Sequence, residues 1–82
     1  MAKYTKEQAR AILEGCFPDE GDFDFFIFQS MPAIFRRFKQ FNIAGRQARL
    51  DYLVNYGQPD KLIGYALKIR PVTGKRLLAQ HS

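Results

Sequence analysis

Residue types that carry chemistry are scarce in this 82-residue chain. One cysteine, Cys16, leaves no means of building an intrachain disulfide framework or a multi-cysteine zinc site. One histidine, His81, lies second from the end, where chains are commonly loose. Without a second histidine, and with Cys16 on an apolar stripe, neither a Cys–His nor a Ser–His–Asp arrangement is expected. Tryptophan is absent. No apolar run approaches the ~20 residues that a membrane-spanning helix needs. No basic segment followed by an apolar stretch marks a secretory signal. A reducing, cytoplasmic address is therefore the expectation.

What is present is apolar and aromatic. Hydrophobic residues make up 46% of the chain and aromatic ones 15%, with eight Phe and four Tyr. Chains that stay disordered are too poor in such side chains to offset ordering entropy. One domain over residues 1–82 follows from the length, with its core at about 5–71 and a partly ordered tail at 72–82. A domain this small buries only about 60% of its unfolded surface, so its core is thin.

The apolar spacing predicts helices. Thr5-Lys6-Glu7-Gln8 fits a capping box, followed by Ala9, Ile12, Leu13 and Cys16 at i, i+3, i+4 and i+7. In 22–29, Phe23, Phe26 and Ile27 fit a helix stripe with Asp22 as its N-cap, while Phe23, Phe25 and Ile27 also fit strand alternation. The helix is preferred, because nothing else in the chain offers a partner strand. Ser30 is expected to cap a third helix that admits Pro32 in its first turn and repeats Phe35, Phe38 and Phe41. A fourth runs from about Arg46 to Tyr56, with Leu50, Leu53 and Val54 inward and Arg46 and Arg49 on another face. Gly57 is expected to end it in a left-handed conformation, and Pro59 to start a fifth helix that carries Leu62, Ile63, Ala66 and Leu67. That helix must stop before Pro71. A short, frayed helix at about Gly74 to Ala79 completes an all-α bundle of five or six short helices.

Candidate chemistry is thin. Thr73-Gly74-Lys75 has the ending of a phosphate-binding loop, but Ile69 stands where its first glycine belongs. Asp19, Glu20, Asp22 and Asp24 lack the spacing of a calcium loop, and carboxylates collect at a helix N-terminus through its dipole. No catalytic residue, metal site or cofactor is expected, and the chain does not read as an enzyme.

Charge segregation is the clearest functional signal. Five of the eight acids (Glu14, Asp19, Glu20, Asp22, Asp24) fall within 14–24 with no base among them. Five of the thirteen bases (Arg36, Arg37, Lys39, Arg46, Arg49) fall within 36–49 with no acid among them. One reading is that both blocks are solvated faces. A second is a small basic helical protein that grips nucleic acid through its arginines; the nearby acids and the shortage of base-reading side chains on the fifth helix weigh against it. A third is a structural subunit of a larger complex. A fourth uses both blocks: an acidic face on one copy docks the basic face of the next, a heterologous contact that generates rings or open filaments. Exposed ion pairs contribute only ~0–1 kcal/mol each, so apolar contact is needed as well. Phe25 and Phe28, off the main stripe, are the phenylalanines expected at the surface.

Ile12-Leu13, Cys16-Phe17-Pro18-Asp19, Leu53-Val54, the Gly57-Gln58-Pro59-Asp60-Lys61-Leu62 corner, Leu67 and Arg70-Pro71 together form a recognisable pattern. It resembles the bacterial death-like or effector-associated domains, which are similar to animal death-fold modules. The resemblance spans roughly Thr5 to Pro71 and rests on apolar spacings and one turn. It implies a six-helix Greek-key bundle. It also implies homotypic binding, to itself or another death-like domain, that recruits effectors such as proteases, NTPases or pore formers in bacterial immunity and programmed cell death. Partner binding is expected at Asp19, Glu20, Asp22 and Asp24 against Arg36, Arg37, Lys39, Arg46 and Arg49.

Overall fold

Local chemistry sets where each helix begins. In the computed structural model, which describes residues 3–81, helix α1 spans Lys6–Cys16. The Thr5 hydroxyl accepts from the Gln8 amide at 3.1 Å, and Gln8 Oε1 accepts from the Thr5 amide at 2.8 Å. This is the reciprocal box that the sequence predicts. Helix α2 spans Glu20–Ser30, and its N-cap is Asp19, three residues earlier than expected. Asp19 Oδ2 accepts the Asp22 amide at 3.2 Å, so Asp22 lies inside the first turn instead of capping it. Helix α3 spans Pro32–Gln40. Ser30 belongs to the end of α2, and the cap of α3 is Met31, which offers no side-chain hydrogen bond. Pro32 at the first position tolerates this, because its missing N–H is one that the helix leaves unpaired.

Helices α4 (Arg46–Tyr56), α5 (Pro59–Ile69) and α6 (Pro71–Gln80) complete the bundle. Gly45 enters α4 at φ 91°, a conformation in which glycine has no Cβ penalty. Gly57 does not take the left-handed conformation expected of it. It is extended at φ −88°, ψ 166°, and its amide donates to the Leu53 carbonyl at 2.7 Å. The α6 helix starts at Pro71 and is longer than the expected 74–79 segment, because Gly74 lets it lie close against Leu67 of α5. Among the described residues all regular structure is helical, so the Phe-rich stretch at 22–29 is helix and not strand.

Helix α1 is the spine, packed against α4, α5 and α6. It runs antiparallel to α6: Gln8 Nε2 donates to the His81 carbonyl at 3.0 Å at one end, and Phe17 meets the Arg70 guanidinium at 5.5 Å at the other. Helices α2 and α3 form a hairpin on one side, with α2 touching α4 and α5. The predicted stripe of α1 is buried, as are Phe23, Phe26 and Ile27 of α2, Phe38 of α3 and Leu50, Leu53 and Val54 of α4. Phe17, just past α1, stacks on Phe26 at 4.3 Å. Full burial of one such side chain contributes about 1.5–3 kcal/mol, and a ring pair about 0.5–1.5 kcal/mol more. Cys16 is free and buried in this core. Burial pushes its thiol pKa up, against the pull of Arg70 and Arg76. At the chain start, the Asp60 carboxylate accepts the Lys3 and Tyr4 amides at 2.8 Å each, which ties the entry segment to α5. No helix among the described residues is long and apolar enough to cross a membrane.

Candidate protein-interaction surface

The two charged blocks are not equivalent in three dimensions, because part of each is used inside the fold. Arg49 Nη1 donates to Asp24 Oδ1 at 2.7 Å, and its Nε donates to the Ile43 carbonyl at 2.9 Å. The same guanidinium lies 5.5 Å from the ring centroids of Phe35 and Phe38. With side-chain exposures of 13% for Arg49 and 30% for Asp24, this pair belongs to the packing of α2 on α4. Arg46 is also committed: its Nε donates to the Phe17 carbonyl and its Nη2 to the Glu14 carbonyl, both at 3.1 Å. Those carbonyls lie at the end of α1, where a helix leaves acceptors without partners. Arg46 and Arg49 therefore do not form a free basic face, as their spacing suggested; they turn toward the core and satisfy backbone carbonyls.

The remaining predicted residues stay at the surface. Asp19, Glu20 and Asp22 are exposed at the amino end of α2, with Asp22 4.0 Å from Arg70. Glu20 and Asp22 lie in the first turn of α2, where the helix dipole favours carboxylates. On α3, Arg36, Arg37 and Lys39 are exposed. Arg37 Nη1 donates to the Tyr52 hydroxyl at 3.2 Å, which raises its pKa further and steadies its direction. Lys39 Nζ sits 5.1 Å from the Phe35 centroid. Among the described residues, none of these three bases makes an ion pair within the chain.

The surface also carries apolar groups. Phe25 and Phe28 are 63% and 56% exposed, as their position off the main stripe suggests, and Phe41 is 63% exposed. Phe28 meets Phe35 edge to face at 5.5 Å. The arrangement thus offers an acidic end on α2, a basic stretch on α3 and exposed rings beside it. Such an assembly can bind by charge complementarity and apolar contact. Among the described residues, no group of three or more His, Cys, Asp or Glu is placed to hold a metal ion.

The roles of Arg46 and Arg49 had no local signal. Apart from the Ile43 carbonyl, six residues before Arg49, their partners lie 25 to 32 residues away in the chain, so only the docking of α4 on α1 and α2 shows which bases are committed.

No protein-family model matches the chain, and no curated protein or solved structure matches it either.

Proposed function

We propose that this protein is a homotypic interaction module of the death-like kind. It associates with itself or a like domain in the cytoplasm and recruits an effector (a protease, an NTPase or a pore former) in bacterial immunity or programmed cell death. One observation carries the assembly part of this reading: Arg36, Arg37 and Lys39 stand exposed on α3 with no carboxylate partner among the described residues, while Asp19 and Glu20 stand exposed at the amino end of α2. The six-helix bundle is in keeping with the death-like resemblance. The module binds and performs no chemistry of its own.

Head-to-tail docking of the acidic end of α2 on the basic side of α3 is a heterologous contact, which leaves both unused faces free at the ends and lets the array grow. Asp24, Arg46 and Arg49 support the fold and stay out of the contact. The test is light scattering on a sizing column across salt and protein concentrations. Salt-sensitive assembly is expected, lost in Glu20→Lys with Asp22→Lys, which spares the Asp19 cap, and equally in Arg36→Glu with Arg37→Glu. Mixing the two variants should restore assembly as an alternating array, because the intact acidic face of one meets the intact basic face of the other and the two reversed faces are again of opposite charge. A monomer at every salt and concentration would sink the homotypic reading. Tight, salt-dependent binding of random-sequence DNA, lost on the Arg36 and Arg37 reversals, would replace it with the nucleic-acid reading.

A further inference from the structure

The outward side of α2 holds a feature that the charge blocks do not explain. Phe25 and Phe28 lie three residues apart, which places them as neighbours on one helix face. Each leaves more than half its surface in water. Together they make an apolar ridge along the outward face of the helix.

The flanks of this ridge are positive. On the α3 side, Asp24 is neutralised by Arg49 at 2.7 Å, which leaves Lys39 beside Phe35, itself in contact with Phe28. On the α5 side, Asp22 has Arg70 at 4.0 Å. There Lys68 shares a cavity of about 350 Å3 with Gln29, the residue next to Phe28. Among the described residues neither Lys39 nor Lys68 has a carboxylate partner. Asp24 is thus matched by Arg49, Asp22 stays exposed with Arg70 at 4.0 Å, and a lysine is left over on each flank.

We propose that this ridge docks the protein on an anionic lipid bilayer, with Phe25 and Phe28 entering the interface and Lys39 and Lys68 reaching the headgroups. Apolar side chains combined with flanking bases are what interfacial binding needs. Anionic headgroups attract each nearby lysine, and a lysine stem lies along apolar surface while its ammonium stays at the polar level. A second copy docked through the same face does not fit as the occupant of this ridge. A twofold contact through it places the lysines of one copy toward those of the other, with no free carboxylate between them. Single-stranded nucleic acid needs a series of open ring faces for successive bases, and of the three rings gathered here Phe35 already has Lys39 and Arg49 over it.

Co-sedimentation at low ionic strength tests this, using phosphatidylcholine vesicles with and without phosphatidylserine and a no-vesicle control for self-assembly. The protein is expected to pellet with the phosphatidylserine vesicles and to stay in solution with phosphatidylcholine alone. Phe25→Ser with Phe28→Ser, and separately Lys39→Glu with Lys68→Glu, should each weaken the partitioning by about tenfold or more. Circular dichroism should show unchanged helix in both variants, since all four side chains are exposed. The proposal is overturned by failure to pellet with anionic vesicles, by equal binding to uncharged ones, or by a phenylalanine variant that binds like the parent. It is also overturned if the serine substitutions abolish a dimer or the binding of a single-stranded oligonucleotide instead.

Discussion

Arg49 and Asp24 are joined by a 2.7 Å charge-assisted hydrogen bond between the basic stretch and the acidic stretch. The contact places two residues that look like interface charges inside the architecture of one chain. Arg49 also serves the Ile43 carbonyl and two phenylalanine rings, so its loss removes more than an ion pair. Arg49→Ala is expected to cost about 2–3 kcal/mol, since it leaves a part-buried carboxylate and a carbonyl without a donor. Asp24→Asn keeps an acceptor and should cost about 1 kcal/mol. Urea denaturation of the two variants checks the order; equal losses would mean that the carboxylate is Arg49's only significant partner.

A second prediction separates the arginines that build the fold from those that face solvent. Arg46 uses two nitrogens on two carbonyls at the end of α1, a fork that lysine cannot reproduce. Arg46→Lys should therefore lower the unfolding midpoint nearly as much as Arg46→Ala. Arg36→Ala should leave stability within about 0.5 kcal/mol, as exposed substitutions usually do. A lysine variant as stable as the parent would mean that charge alone is needed at residue 46.

Two glycines should respond with opposite sign. A Cβ at Gly57 would lie 2.6 Å from the Leu53 carbonyl oxygen, a backbone atom that cannot turn away. Gly57→Ala is therefore expected to be destabilising by about 1–3 kcal/mol through strain at the α4–α5 corner. Gly64 sits within α5 with nothing within 4 Å of an added Cβ. Gly64→Ala should stabilise by about 0.5–1 kcal/mol by reducing the freedom of the unfolded chain. Thermal melts of the pair decide, and a loss at both positions would refute the reading of Gly64.

Cys16 gives a pH-dependent prediction. Its folded pKa is raised above the ordinary 9.0 by burial, so above that pH the unfolded thiol releases its proton before the folded one does. Folding then opposes proton release, and stability falls as pH rises from 9.0 toward the folded value. Cys16→Ala should reduce this alkaline loss while lowering stability at neutral pH through the cavity it leaves. Native protein should also react slowly with a thiol reagent and fast in urea. A fast native reaction would show that α1 opens locally at its carboxyl end.

Much of the helical architecture was legible because its causes are local. The Thr5–Gln8 box, the stripe at Ala9, Ile12, Leu13 and Cys16, and Pro59 at the start of α5 each depend on neighbours within a few turns. The exposure of Phe25 and Phe28 followed from the same periodicity. The errors were at ends with two adequate candidates. Asp19 and Asp22 can both cap α2, and the close approach of Asp19 to the Asp22 amide decided between them. Gly57 was read for its freedom to turn left, whereas the structure needs its missing Cβ near Leu53. The length of α6 also depended on a distant partner, since Gly74 lies against Leu67 and Gln8 holds the carbonyl of His81.

The order of apolar and polar residues alone determined an all-helical chain, its buried stripes and its two charged stretches, because helix periodicity and capping act within a few residues. Tertiary packing alone decided which charges remain available to a partner. The docking of α4 on α1 and α2 commits Arg46, Arg49 and Asp24 to contacts across 25 to 32 residues, while α3 leaves Arg36, Arg37 and Lys39 in solvent. A charge looks the same in sequence whether it ends on a carbonyl or in water, and only the fold brings that carbonyl within reach.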